Sequence, residues 1–403
     1  MYKIINKCRI CSNKNLNSVI NLGNQPPANS LKKKASKQIQ IPLNVLRCSK
    51  CSTLQLNATV NPKYLFSKYL WVTGTSDGVK NYRSFFINKI KQKHKTGKNL
   101  LEIASNDGFF LKELKKNKFK VLGIDPAKNI AEKANKAGIK TLPLFFNKKN
   151  ALKIKKKYFS PDIIICRNVI PHVENINSVI DGISNILNKN GKAYIEFHYA
   201  ENLSKNLHYD YIYHEHIFYF TYYSIKKLLN KYKLYPVDFF ESPISGGSIV
   251  LEISNENTSP SKKLNKLMIR EKKIQINSMK YWKNFNKKCL EHRKILLKKI
   301  SRHKKNIAGY GASARSSTLL NFCKIDNKKI NVIFDKNSLK HNLYTAGSNI
   351  KIINPTKNFI KKFSCILILA WNFEKEIINY IKKTGYKGKL ISVLPKVKIT
   401  NVN

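Results

Sequence analysis

Two cysteine pairs, Cys8-x-x-Cys11 and Cys48-x-x-Cys51, carry the most specific chemistry in the chain. Each pair sets two thiolates on one turn, and two such turns supply the four sulfurs of a tetrahedral zinc with no open ligand position. A zinc bound this way is structural. Cys166, Cys289, Cys323 and Cys365 stand in apolar surroundings and read as core residues. A disulfide framework does not suit two tight pairs in a reducing interior, and neither pair opens a helix after a strand as a redox dithiol would.

A second constellation runs from Leu100 to Gly108, through Glu102, Ser105, Asn106 and Asp107. It reads as a strand, a polar turn and a helix start, where free backbone N–H groups and small side chains let a ligand approach. Seventeen residues past Gly108, Asp125 ends the apolar run from Val121, and a carboxylate there can accept hydrogen bonds from both hydroxyls of a ribose. The loop has no G-x-G-x-x-G, so it suits a nucleoside cofactor without phosphates, such as S-adenosylmethionine. An acidic helix cap is the plainer alternative. Asn168-Val-Ile-Pro-His172 follows the run Asp162–Cys166 and falls on the same carboxyl edge, which adds Asn168 and His172 to the candidates.

Histidine and tyrosine crowd the next stretch: His198, His208, Tyr209, Tyr211, Tyr213, His214, Glu215, His216, Tyr219 and Tyr222. Three readings are open. An extended His214-x-His216 could present two metal ligands on one face, although the absence of H-E-x-x-H excludes a zincin helix. The tyrosines could be packing, with their polar tips satisfied internally. A histidine beside Glu and Tyr could instead serve as a general base. Further on, Gly309-Tyr-Gly311-Ala-Ser313-Ala314-Arg315 opens a helix after a strand, and Asp335 lies 24 residues past Gly311. By spacing alone this is the better dinucleotide fingerprint, and it points to a nicotinamide-dependent oxidoreductase.

The elements that must position these groups follow from length and pattern. With 403 residues and 42% hydrophobic content, the chain has material for two or three cores. Residues 1–75 read as a small metal-held module with a Gln25-Pro26-Pro27 turn. Residues 76–255 alternate apolar runs with amphipathic, lysine-rich stretches, with strands at Asn99–Ala104, Lys120–Asp125, Asp162–Cys166 and Lys192–Phe197, the signature of a doubly wound parallel sheet. Residues 256–305 read as a helical connector. Residues 306–403 resume the α/β alternation, with strands at Asn306–Tyr310, Ile330–Asp335 and Cys365–Ala370.

The formal net charge of +53 comes from lysines spread over every segment, which reads as a solvated exterior and not as a nucleic-acid interface. Met1–Ile10 holds charge and no long apolar run, and Cys365–Trp371 is far shorter than a membrane span. The expectation is a soluble, cytoplasmic protein with neither nucleic acid nor membrane as partner.

Taken together, the motifs resemble those of the sugar C-methyltransferases that build branched deoxysugars on nucleotide carriers. The resemblance runs over nearly the whole chain. It is carried by the paired CxxC module, Tyr69-x-Trp71-x-x-Gly74-Thr75-Ser76, Glu102 to Gly108, Asn168 to Val173, Glu196-x-His198-Tyr199, Tyr213-His214-Glu215-His216, Gly246-Gly247-Ser248 and Gly309-Tyr310-Gly311-Ala312. It implies an α/β chain with a small N-terminal zinc-binding module, a central Rossmann-like S-adenosylmethionine methyltransferase domain and a C-terminal Rossmann-like domain. The nucleotide-linked sugar would lie between the last two.

On that resemblance His216 is the general base, with Tyr213, Glu215 and His172 around the sugar. Tyr69, His198, Gly247 and Ser248 contact substrate, while the loop amides with Gly309, Gly311, Arg315 and Asp335 hold its nucleotide diphosphate. The chain departs from the family at Trp71, at Ser245, at Ile249-Val250 and at Arg315, where lysine is commoner. A nicotinamide enzyme would leave residues 81–250 without a role. A zinc-bearing RNA methyltransferase would account for the charge, but Asn168–His172 is not the Asn-Pro-Pro-Tyr loop that holds an exocyclic amine.

Overall fold

The computed structural model describes residues 1–66, 77–243, 246–303 and 306–402. Apolar runs such as Ile163-Ile-Ile-Cys166 are buried on both faces, which forces helices onto both sides of the sheet they build. That sheet has seven strands in the spatial order Tyr235–Ser242, Ser248–Ser254, Lys192–His198, Ile163–Arg167, Asn99–Ile103, Lys120–Ile124 and Thr141–Leu142. The five earliest in the chain are parallel and the last two antiparallel. Strand order reverses between Asn99–Ile103 and Ile163–Arg167, and the crevice outside their carboxyl ends is where such sheets take ligands.

The C-terminal sheet repeats the plan with six strands: Lys351–Ile353, Val332–Phe334, Ile307–Tyr310, Cys365–Ile368, Gly388–Ser392 and Lys398–Val402, the last antiparallel. Its reversal lies between Ile307–Tyr310 and Cys365–Ile368. Two helices precede it, Lys262–Lys273 capped by Ser261 and Met279–Ser301 capped by Ser278. The second buries Trp282, Phe285, Cys289, His292, Leu296 and Ile300 at helical spacing. That stripe joins Val19, Leu22 and Leu43 of the N-terminal module to Leu319 and Ile333 of the C-terminal sheet in one apolar core.

The N-terminal module is an antiparallel sheet of Leu16–Gln25, Ile41–Cys48, Leu54–Leu56 and Phe218–Tyr219. Its first strand is longer than its sequence suggests, because register shifts at Ser18/Ile20 and Asn21/Asn24 break the alternation. The fourth strand comes from the middle of the chain, immediately after His216.

At one end of this sheet the cysteines form two matching knuckles. Ser12 N–H bonds the carbonyl of Cys8 and Ser52 N–H that of Cys48, with both serines in left-handed backbone, φ 59° and 60°. The Sγ atoms of Cys8 and Cys51, and of Cys11 and Cys48, are 3.6 Å apart, and all four lie within 4.8 Å of one another. A Zn–S bond of about 2.3 Å in a tetrahedron sets sulfurs roughly 3.8 Å apart, so the quartet fits zinc. The other four cysteines are buried and unpaired. Among the described residues no helix is long and apolar enough to cross a membrane.

Cys48→Ser is expected to drop zinc well below one ion per chain and to speed hydrogen exchange at Ile217–Tyr219, whose partner strands the knuckle anchors. Full zinc content with unchanged exchange would contradict this.

Candidate active site

Asp125 sits just beyond the second parallel strand. One carboxylate oxygen accepts from Asn106 N–H (2.9 Å) and the other from Ala127 N–H (3.0 Å), tying the first loop to the next. The loop is strained, with Ala104, Asn106 and Gly108 at φ 55°, 51° and 74°. Most of the loop's own N–H groups, which the sequence reads as free, are taken up within the protein. Ser105 donates to Ile124, Asp107 to the Asn106 side chain, Gly108 to Ser105 and Phe109 to Asp107.

Ser105 Oγ, Glu102 Oε2 and Asn168 Oδ1 are buried with no partner among the described residues. Asn168 itself is left-handed, φ 54°, and its N–H is held by the carbonyl of Glu196. S-adenosylmethionine brings two ribose hydroxyls and an ammonium and no phosphate, which matches this set of acceptors. Glu102 lies beneath the loop, its Oε1 accepting from Arg167 Nε (3.0 Å) and Nη2 (2.5 Å). Arg167 also acts on the buried carboxylate of Glu196 and stacks its guanidinium 3.3 Å over Phe110.

Tyr213–His216 is a turn, closed by His216 N–H on the carbonyl of Tyr213 (2.8 Å). The extended metal-binding His214-x-His216 is therefore ruled out: His214 Nε2 turns away to the carbonyl of Ile41 (3.2 Å), and the cysteine quartet is the metal-type cluster found among the described residues. His216 Nδ1 lies 2.8 Å from the carbonyl of Tyr211. A carbonyl can only accept, so Nδ1 carries the proton and Nε2 the lone pair. The His216 ring stands 4.0 Å from Tyr211, 4.0 Å from Tyr213 and 4.8 Å from His172. Ile217 N–H bonds the carbonyl of Pro171 (2.6 Å), which ties this turn to the Asn168–His172 loop at the cofactor edge. The ring of His172 in turn donates to the main-chain carbonyl of Glu215.

His198 stacks on Tyr211 (4.1 Å), with both ring nitrogens buried and unpartnered among the described residues, and its strand pairs it with Ser248. Gly247 O accepts from Asn202 (2.9 Å), while Gly246, at φ 83°, passes so close to Trp371 that a Cβ would lie 2.7 Å from its ring. Tyr69 and Ser245 fall outside the described residues.

The C-terminal glycine loop differs from what its spacing suggests. Gly311 N–H bonds Phe334 O (2.7 Å), Ala312 N–H bonds Asp335 Oδ2 (2.8 Å) and Ser313 N–H bonds Ser316 Oγ (2.6 Å). These amides are spent and do not face a phosphate. Gly311, φ 101°, is there for packing, since a Cβ would lie 2.3 Å from that of Ala370. Gly309 is buried in the sheet, and Asp335 is held by Ala312, Asn337 and Lys340.

Arg315 is the group of this set that reaches the histidines. Its guanidinium lies over Tyr211 (4.8 Å) and Trp371 (4.9 Å). Trp371, which the sequence showed only as the end of an apolar run, donates to Asp210 Oδ2 (2.7 Å) and stacks on His208 (4.2 Å). Its place just past a strand beside the sheet's reversal is the signal that could have found it.

Burial, with His172, Arg315 and His198 nearby, holds His216 well below the ordinary imidazole range. Burial also lowers His172 and His214 to about 4, and His208 to about 3. All are neutral at pH 7. Glu215 moves the other way, to about 7, because burial outweighs a hydrogen bond from Asn29. Beneath the crevice, Arg167→Met would strand the buried carboxylates of Glu102 and Glu196 and is expected to cost about 3–5 kcal/mol in chemical denaturation. Arg167→Met with Glu102→Gln should regain part of it, and a single variant as stable as wild type would refute the pairing.

Three family models match in order: a zinc binding domain over residues 8–66, a methyltransferase domain over 81–238 and a C-methyltransferase C-terminal domain over 243–395. The chain is 26% identical over 408 residues to C-methyltransferase NovU of Streptomyces niveus, spanning 98% of this chain and 97% of that one. Two solved structures align with about half of the chain. The magnesium protoporphyrin IX methyltransferase of Synechocystis PCC 6803 with bound SAM is 11% identical, covering 48% of this chain and 97% of its own, with a TM-score of 0.36. An S-adenosylmethionine-dependent methyltransferase of Clostridium acetobutylicum ATCC 824 is 16% identical, covering 47% and 96%, with a TM-score of 0.35. The chain thus carries a zinc-binding, a methyltransferase and a C-methyltransferase C-terminal domain in that order, and it is an S-adenosylmethionine-dependent methyltransferase similar along its whole length to C-methyltransferase NovU.

Proposed function

We propose that the acceptor is a carbon beside a ketone in a nucleotide-linked deoxysugar, and that His216 removes its proton. The observation that carries this reading is the state of His216: a neutral imidazole, its Nδ1 proton tied to Tyr211, its Nε2 lone pair available, and its ring beside His172 at the cofactor edge. Methyl transfer to carbon needs a carbanion equivalent, and a ketone supplies one by acidifying the neighbouring C–H.

His216 Nε2 takes that proton, and the electron pair moves onto the ketone oxygen. So depressed a base holds the proton because an enolate anion forms beside it and raises its affinity at that moment. Tyr213 and His172 border the sugar as hydrogen-bonding groups, with Glu215 as an acceptor. Arg315, held between two aromatic rings, offers positive charge to the enolate or to the nucleotide's phosphates. S-adenosylmethionine supplies an electrophilic methyl group on a sulfonium sulfur, which leaves with the C–S electron pair as the new C–C bond forms. The turn and its neighbours keep water from the carbanion. A quartet of reduced cysteines suits a cytoplasmic site for this reaction.

His216→Gln is expected to abolish turnover and to stop exchange of the substrate's α-proton for solvent deuterium, while calorimetry finds S-adenosylmethionine binding near wild type. Undiminished deuterium exchange would remove the base assignment. Asp125→Ala should weaken S-adenosylmethionine binding by at least about tenfold, the scale of a lost hydrogen bond to a charged group. Asp335→Ala should leave it unchanged, and equal losses in the two variants would overturn the assignment of the cofactor to the central sheet.

A further inference from the structure

Between the strands Leu16–Gln25 and Ile41–Cys48 the chain leaves the cysteine module as a strap. It is stitched to the C-terminal domain: Lys32 and Tyr344 exchange main-chain hydrogen bonds (3.1 and 2.7 Å), Gly347 N–H bonds Gln38 Oε1 (2.7 Å) and Ser36 N–H bonds Asn349 Oδ1 (3.3 Å). Between these stitches and the module's sheet stands Asn29. Its side-chain amide donates to Glu215 Oε1 at 2.6 Å, across 186 residues of sequence. Asn29 is exposed and Glu215 is buried, so the amide reaches inward from the rim. Among the described residues, Oε2 of Glu215 has no donor.

A carboxylate in this setting has one oxygen anchored and one left over. Burial favours its protonated form, the Asn29 amide opposes that by donating to the charged form, and a hydroxyl or the migrating proton could then use the second oxygen. Around it stand His214 and His216 on its own turn, and His172 on the Asn168–His172 loop. Arg315 on the C-terminal domain bears on His216. The strap contributes a neutral amide.

We propose that Asn29 is a positioning residue of the reaction, fixing Glu215 Oε1 so that Oε2 is presented to the substrate. This rests on the reading that Glu215 borders the sugar. It also gives the cysteine module a part in turnover beyond holding its own fold.

The test uses zinc-replete protein in two arms. In the first, the protonated-carboxyl infrared band of Glu215, identified by its loss in Glu215→Gln, is titrated in wild type, Asn29→Ala and the near-isosteric Asn29→Asp. Losing a donor to the charged form raises the carboxyl's pKa, so both variants should titrate higher by about one pH unit, the scale of one such hydrogen bond. An unmoved midpoint overturns the proposal.

In the second arm, turnover is followed against pH with a 4-keto-6-deoxyhexose on thymidine diphosphate as the probe. Asn29→Ala should lose roughly fivefold in kcat at pH 7, the loss set by a one-unit rise from about 7, and recover towards wild type at pH 9, whereas Glu215→Gln should not recover. Wild-type turnover by Glu215→Gln would sink the reading of Glu215 itself. An inactive Glu215→Gln beside Asn29 variants whose pH profiles superpose on wild type would sink only the positioning role.

Discussion

The arrangement depends on holding one four-residue turn, Tyr213–His216, from three sides. Its chain belongs to the central domain, yet its fixed points belong elsewhere. Thr318 of the C-terminal domain donates to the carbonyl of Ile212 (3.1 Å), and Tyr209 packs against His292 and Phe322. From the cysteine module, Ile41 takes His214, Asn29 takes Glu215 and Leu56 N–H bonds the carbonyl of Ile217 (2.8 Å). A reacting group must be held within a fraction of an ångström, and a turn alone cannot do that. Here the rigidity is borrowed from two neighbouring folds, so the zinc knuckles and the proposed base are parts of one mechanical unit.

Electrostatics sets the second constraint. His198, His208 and His216 all feel the positive charge of Arg315 and would repel it if charged, and burial keeps them neutral instead. The pocket is therefore short of negative charge, as is the chain as a whole with its net +53. Arg315 is stabilised between Tyr211 and Trp371 and answered by the buried Asp210. An anion entering such a site strengthens every base in it. On the proposed reaction, that is the enolate or the phosphates of the sugar carrier.

How much was legible depended on how local each signal was. The cysteine quartet declares itself in two four-residue windows, and the strand ends at Asp125 and Asp335 follow from apolar runs closed by a carboxylate. The seven strands read from sequence end within a residue or two of those observed, while the edge strands of both sheets, such as Tyr235–Ser242 and Lys398–Val402, were not read. Asn29 was invisible because its meaning lies in a partner 186 residues away, and Trp371, whose partner is 161 residues away, left only its place past a strand end as a signal. The extended His214-x-His216, one of three readings left open, fails for a related reason: alternation implies a strand, but the hydrogen bond from His216 to Tyr213 folds the segment into a turn that sends the two rings to different domains. Gly311 shows a further limit. A glycine that lets a phosphate approach and one that lets Ala370 approach have the same spacing.

The two α/β domains share a device and use it differently. In each, a carboxylate past the second strand takes one N–H from the loop after the first strand and one from its own following turn: Asp125 with Asn106 and Ala127, Asp335 with Ala312 and Asn337. In the C-terminal domain Lys340 adds a third partner, bonding both Asp335 Oδ2 (3.3 Å) and the carbonyl of Ala312 (2.8 Å), and Ala370 fills the space before Gly311. Among the described residues Asp125 has no such cation, and Ser105 Oγ, Glu102 Oε2 and Asn168 Oδ1 are buried without a partner. On the proposed reading the cofactor takes the first site, while the second loop, its amides at Gly311, Ala312 and Ser313 already bonded, contributes Arg315 beside Trp371. Similar folds need not offer similar crevices: one lysine and one alanine methyl change what the carboxylate at the second strand end and the glycine loop present.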